Sequence, residues 1–257
     1  MRDLSAVELL TAWDRALGQS SMQQALVLLA AVYPEHSMGQ LAQWSVGRRD
    51  ACLLTLRERL FGSQLNGVTV CPQCRQRIEL AFNVSDIRVG PTMADPIVPV
   101  DEVMTLTAGG YRVQFRLPNT LDLEAIETSA DVNQMREQLL HRCITSVVWE
   151  KAEKGDGEPV NNPTPLPMTL VDAIVACMAE ADAQADTRLA LSCPDCNHEW
   201  FSTFDIATYL AGEIHSWAKY ILREIHSLAR AYGWREADIL TMTPRRRRAY
   251  LELLENG

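Results

Sequence analysis

Apolar residues recur at helical spacing at both ends of the chain and alternate singly with polar ones in between. Ser5 with Glu8 forms a capping box ahead of Val7, Leu9, Leu10 and Trp13, and Gly18 closes that helix. A second apolar helix runs from Met22 to Tyr33 and stops at Pro34. A third runs from Val46 after Ser45 to Phe61, with Cys52, Leu53, Leu56, Leu60 and Phe61 on one face. The period then shortens to two. Gly67–Val70 is β-branched, and Ile78, Leu80, Phe82 and Val84 alternate with Glu79, Ala81 and Asn83 as in a half-buried strand. Residues 86–102, with three prolines, read as an irregular connection. Val103–Thr107 and Tyr111–Leu117 flank Gly109-Gly110, a hairpin signal.

Asn119 or Thr120 caps an expected helix to Ile126, and a further helix is expected from Val132 to Glu150. Residues 151–167 hold four prolines and read as a mobile linker. A helix over Leu170–Ala181 then precedes two strands, Thr187–Ser192 and His198–Phe204. Leu210, Ile214, Trp217, Ile221, Ile225 and Leu228 make a continuous apolar stripe along a helix over Ala207–Tyr232, closed by Gly233. Trp234–Met242 reads as a short helix. Thr243-Pro244 opens a last one.

Each strand pair brackets two cysteines: Cys71-Pro-Gln-Cys74 in one, Cys193-Pro-Asp-Cys196 in the other. A tight turn between such cysteines aims both sulfurs at one point, and two turns together supply the four thiolates of a tetrahedral structural zinc site. From Cys74 to Cys193 there are 118 intervening residues, against about 15–20 in a compact zinc ribbon. One Zn2+ ion on Cys71, Cys74, Cys193 and Cys196 therefore ties distant parts of the chain together. The surroundings repeat as well: Ile78, Phe82 and Asp86-Ile87 after the first turn correspond to Trp200, Phe204 and Asp205-Ile206 after the second. Arg75 and Asn197 occupy the position after the second cysteine, which favours a left-handed backbone; Asn tolerates that geometry and Arg is strained by it. Redox-active pairs open helices, whereas these lie between strands. His198 is a substitute ligand in principle, but it reads as a strand residue beside a complete thiolate set.

The chain has 257 residues, 47% hydrophobic and 22% charged, an ordinary globular composition. Its net charge of −9 argues against nucleic acid and anionic membrane as partners. No apolar run is long enough to span a bilayer and no leader is recognisable, so a bacterial cytoplasmic protein is expected. Seven cysteines, an odd number, fit a reducing compartment; Cys52, Cys143 and Cys177 read as small core residues.

Other constellations are ambiguous. Glu213-Ile-His215-Ser216 recurs as Glu224-Ile-His226-Ser227, about three helical turns on, and reads as a polar flank of the apolar stripe. The basic run Arg245, Arg246, Arg247 and Arg248 is either a solvated first turn, with Arg248 and Glu252 paired, or a contact surface. Arginines at a helix N-terminus oppose the macrodipole, which speaks for a partner. No nucleophile–base set, phosphate loop or dinucleotide fingerprint is present. A full thiolate set leaves no open coordination position, so no enzyme and no small-molecule substrate are expected.

Several segments together resemble a known family, the baseplate hub assembly chaperones or baseplate proteins of contractile-tailed phages and related contractile injection systems. They are Ser45 to Asp50 (SVGRRD), Leu60 to Gly62, the first cysteine pair, Ala179 to Asp182 (AEAD), the second pair with Trp200, Phe204 to Ile206, and a C-terminal group. That group comprises Glu213-Ile214, Trp217-Ala218, Arg223 to His226, Leu228-Ala229, Tyr232 to Trp234 and Pro244 to Leu251. The resemblance covers residues 45–84 and 179–254 and carries no catalytic residues. It implies an assembly chaperone for the baseplate hub, acting on hub, tape-measure or other tail proteins. A permanent baseplate subunit is the alternative, and a zinc-ribbon nucleic-acid-binding or adaptor protein the second. A partner surface is expected on Leu210, Ile214, Trp217 and Ile221 with Arg245–Arg248.

The expected fold is α+β and mostly helical, with a small zinc-ribbon-like β core from two distant knuckles flanked by N- and C-terminal helices. In order these are a helical region 1–66, the first knuckle 67–87, an inserted hairpin-plus-helices region 88–186, the second knuckle 187–206, and a helical region 207–257.

Overall fold

The structure, a computed structural model, describes residues 1–89, 103–127, 131–149 and 166–255. In chain order the helices are α1 (Ala6–Ala16), α2 (Ser21–Val32), α3 (Met38–Ala42) and α4 (Val46–Phe61), then α5 (Val84–Ile87), α6 (Thr120–Ile126), α7 (Val132–Cys143) and α8 (Met168–Ala181), and finally α9 (Ile206–Tyr232), α10 (Glu236–Thr241) and α11 (Pro244–Glu255). The strands are β1 (Gln64–Val70), β2 (Arg77–Asn83), β3 (Met104–Ala108), β4 (Tyr111–Phe115), β5 (Ile144–Trp149), β6 (Arg188–Ser192) and β7 (Glu199–Thr203). The chain is mostly helical with small antiparallel sheets, as expected. No described helix is long and apolar enough to cross a membrane.

Two compact units result. One joins Met1–Met38 to Asp205–Gly257; the other is Gly39–Phe204. In the first, the Ser5–Glu8 capping box starts α1. Asp205 caps α9, which Gly233 ends in the left-handed conformation at φ 68°. The apolar stripe of α9 buries Ala218, Ile221, Ile225 and Leu228 against Leu10 of α1 and Ile239 and Leu240 of α10. Trp13 Nε1 donates to His215 Nδ1 at 3.1 Å, so His215 serves this packing. His226 is exposed.

In the second unit, β1–β2 and β6–β7 are separate two-stranded hairpins, and β3–β4–β5 form a three-stranded sheet. Val113, Phe115 and Val147 of that sheet pack on Leu140 of α7 and on Leu170 and Ile174 of α8. Gly109 and Gly110 make the β3–β4 turn with φ of 59° and 85°, which side-chain-bearing residues rarely adopt. Helix α7 does not run on to residue 150 as expected: it ends at Cys143, and Ile144–Trp149 pair with β4. Ile144, Thr145, Val147 and Val148 are β-branched, and a strand lets Val147 enter the core while Val148 faces outward. Val84, expected to end β2, instead opens α5, where Asp86 accepts from the Asn83 N–H. Helix α3 was not expected from the sequence. Most of the expected linker over 151–167 (residues 151–165) and most of the irregular connection, 90–102, lie outside the described residues.

The junction of β4, α6 and α7 is tied by a buried carboxylate. Asp122, 1% exposed, accepts from Arg116 at 2.9 Å, from Arg142 at 3.0 Å and from the Asn119 N–H at 3.1 Å. Burial pushes its pKa up, but Arg116, the Asn119 amide and Arg142 pull it below the usual carboxylate value. The stability it contributes is thus present above about pH 4 and lost as pH falls through the lower folded value. Asp122→Asn is expected to cost about 2 kcal/mol at neutral pH. Urea titrations across pH would also show a shallower acid limb than in the parent.

Candidate metal centre

Both cysteine pairs sit at the tips of hairpins with the same register. Val70 pairs with Arg77 and Gly67 with Leu80 in the first; Ser192 pairs with Glu199 and Leu189 with Ser202 in the second. Every paired position of the second hairpin thus matches one 122 residues earlier in the first, Cys193 matching Cys71 and Cys196 matching Cys74. The turns match bond for bond. Cys71 N–H donates to the Gln76 carbonyl and Arg75 N–H to that of Cys71; Cys193 N–H donates to the His198 carbonyl and Asn197 N–H to that of Cys193, all at 2.9 Å.

The hairpins face each other about an approximate two-fold axis. Cys71 Sγ lies 3.7 Å from Cys196 Sγ, and the symmetry-equivalent pair, Cys193 and Cys74, lies at 3.5 Å. All four sulfurs fall within 4.8 Å of one another. Phe82 and Phe204, also equivalent positions, meet edge to face at 5.6 Å. A two-fold relation maps the Cys71–Cys196 contact onto Cys193–Cys74 and brings Phe82 against its own equivalent, Phe204.

The donor set fits a tetrahedral metal ion. Zinc–thiolate bonds of about 2.3 Å imply S···S edges of about 3.8 Å, close to the two short distances. Cys71 and Cys193 are fully buried, while Cys74 is exposed and Cys196 half-buried. Electrostatics agree with the geometry. Burial raises the Cys71 thiol, yet the Cys74 and Gln73 amides and the neighbouring thiols of Cys74 and Cys196 bring it down to about 7. Cys74 receives the Gln76 amide, which lowers it, but burial and the sulfurs of Cys196, Cys193 and Cys71 push it up to about 12. Cys196 is likewise raised: burial and the Cys193 and Cys71 sulfurs outweigh the His198 amide. Four sulfurs this close cannot all ionise without a cation among them.

His198 supplies backbone rather than its ring: its carbonyl and amide serve the turn, and the imidazole stacks on Trp200 at 5.9 Å. Arg75 and Asn197 adopt φ of 63° and 55°, the left-handed conformation expected for them. For Arg75 this costs about 1 kcal/mol relative to glycine. Arg75→Gly is therefore expected to raise the melting temperature by a few degrees with metal content unchanged, while Asn197→Gly changes it less.

Contacts that the sequence did not point to also hold the hairpins. Buried Gln184 accepts from the Val89 N–H at 2.8 Å and donates to the Ile87 carbonyl at 3.2 Å and to Thr187 Oγ1 at 2.8 Å. It thereby links the exit of the first hairpin to the entry of the second. Just before it, Asp182 accepts from the Gly47 N–H at 2.9 Å and from Ser45 Oγ at 3.2 Å, anchoring the N-terminus of α4. Segments SVGRRD and AEAD, prominent in the family resemblance, meet here; nothing in their residue types announced the contact.

The expected partner surface is placed differently. Leu210, Ile214 and Ile221 are 0–2% exposed and Arg247 is 5% exposed, so none of them is open to a partner. Helical spacing marks an apolar face without saying whether the chain itself covers it. Trp217 is half-buried, and Arg245, Arg246 and Arg248 are exposed. Cys52 and Cys143 are core residues as expected, and Cys177 is half-buried.

No curated protein and no solved structure matches this chain. A family profile described as T4 bacteriophage base plate protein does, over residues 10–211. That span includes both knuckles, Gly47, Asp182 and Gln184. It also runs through 88–168, which the resemblance noted in the sequence did not cover, and stops short of most of the C-terminal segment that the resemblance did cover. A match over this much of the sequence, with both cysteine pairs inside it, means that the chain belongs to the T4 bacteriophage base plate protein family.

Proposed function

We propose that the chain is a non-enzymatic assembly factor, a chaperone for the baseplate hub of a contractile phage tail or related injection system, braced by a structural zinc ion. The family match over residues 10–211 carries the baseplate role. Its partners are hub, tape-measure or other tail proteins, met in the bacterial cytoplasm as the tail is built. Cys71, Cys74, Cys193 and Cys196 hold the zinc, which contributes folding free energy and, with four thiolates, keeps no position for water or substrate. The acidic balance of −9 supports a protein partner over nucleic acid.

A permanent baseplate subunit is the competing reading. Mass spectrometry on a tagged copy, expressed with its own tail genes, separates the two. A chaperone is found bound to a hub or tape-measure protein in assembly intermediates and is absent from mature particles. A fixed stoichiometric share of the mature particle would instead make it a subunit.

A further inference from the structure

The groove between α9 and α11 has an apolar floor and a basic rim. Trp217, Tyr220, Ile221 and Pro244 line a space of about 450 Å³, with Arg245 and Arg248 at its edge. Tyr220 is 51% exposed, far more than a packed aromatic needs to be. Among the described residues Glu224 is the one acidic group lining the groove, and Arg247 neutralises it. Arg247 Nε donates to Glu224 Oε2 at 2.8 Å, with both side chains 6% exposed, and its second nitrogen donates to the Met242 carbonyl at 2.7 Å. This buried pair pins α11 to α9. It also leaves the rim purely positive.

We propose that this groove binds an acidic segment of a partner protein, with an aromatic or leucine side chain on Trp217 and Tyr220 and carboxylates on Arg245 and Arg248. Charge and size select this occupant. Arginines in the first turn of α11 oppose its macrodipole, an unfavourable placement for the isolated helix. A carboxylate at that point meets the exposed guanidinium groups of Arg245 and Arg248 and offsets the charge they place there. In a chain of net charge −9, a local basic rim selects an acidic peptide by complementarity, while the rest of the surface repels a long polyanion. The groove accommodates a few side chains of a peptide rather than a duplex. The inference builds on the assembly role and names the chemistry of the partner.

The test uses the full chain and a fluorescein-labelled synthetic peptide in which Asp and Glu flank a Leu-Leu-Trp core. Fluorescence anisotropy is expected to show saturable binding that weakens with added salt, and no binding of the Asn/Gln counterpart. Arg245→Glu with Arg248→Glu, both exposed positions, should not lower the melting temperature and should weaken binding by about tenfold or more. Tyr220→Ala, which leaves the rim charges intact, should weaken it as well. Absence of saturable binding, or binding indifferent to these variants, would overturn the proposal. So would tighter binding of a single-stranded oligonucleotide, or a concentration-dependent dimer lost on charge reversal, which would assign the groove to a second copy. Because the readout is peptide binding by the purified chain, its failure leaves the assembly role standing; failure of that role appears in particle composition.

Discussion

Replacing Cys71 by serine is expected to empty the metal centre and to lower the melting temperature of Gly39–Phe204 by about 10 °C or more. The size follows from where the free energy lies. Each hairpin is two-stranded, and such a hairpin is marginal at best on its own. Among the described residues β6 pairs only with β7 and β1 only with β2, and no backbone ladder joins the hairpins. What joins them is the sulfur cluster, the Phe82–Phe204 contact and the Gln184 bridge. Removing one thiolate leaves three ligands and a weakly donating hydroxyl. Without a bound cation the three remaining sulfurs cannot all ionise at this spacing.

The two-fold relation sharpens this expectation. Cys193→Ser should match Cys71→Ser in both metal loss and melting, because the two sulfurs are equivalent and equally buried. Cys52→Ser, at a buried cysteine outside the cluster, should leave metal content intact. Elemental analysis of the purified protein also separates zinc from iron, the other metal that four thiolates favour. Full metal content and unchanged melting in Cys71→Ser would dismiss a four-thiolate centre.

Some of this architecture could be read from the chain and some could not, for identifiable reasons. The Ser5–Glu8 box, Ser45 before α4, the Gly109-Gly110 turn and Gly233 after α9 are local signals, and each fixes an element boundary without help from the rest of the chain. The four-cysteine cluster was legible because two short motifs carry their own geometry. Segment 144–149 misled because it continues the apolar pattern of α7, and only pairing with β4 decides for strand. The stripe on α9 predicted a buried face, but not that the chain would bury it itself. Gln184 and Asp182 were silent because their roles depend on partners about 95 and 135 residues away. Long-range polar contacts have no period and no motif.

Gly47→Ala is the substitution for which such a silent contact predicts a large effect. In an exposed helix interior this change stabilises by about 1 kcal/mol. Here the new Cβ would lie 2.1 Å from Asp182 Oδ1, 2.6 Å from Asp182 Cγ and 2.9 Å from the Ala185 backbone nitrogen. The carboxylate must move, abandoning the Gly47 N–H and Ser45, while Ala185 is backbone and yields little. The net cost is about 3 kcal/mol, or some 6–12 °C in melting temperature. Asp182→Ala removes two of the three close approaches, so Gly47→Ala should cost at least 1 kcal/mol less in that background than alone. Strict additivity would mean that the two residues do not share this contact. The same carboxylate adds a pH signature. Burial holds the Asp182 pKa above its usual value despite Gly47, Ser45 and Arg49. The folded state therefore favours the protonated acid, a contribution present below about pH 4 and lost as pH rises through the folded value. Asp182→Asn keeps an acceptor for the Gly47 amide without that loss, so its stability should fall less than the parent's between pH 4 and neutrality. A urea-denaturation series on both proteins reads the difference directly, and parallel pH profiles would place the carboxylate outside the buried anchor.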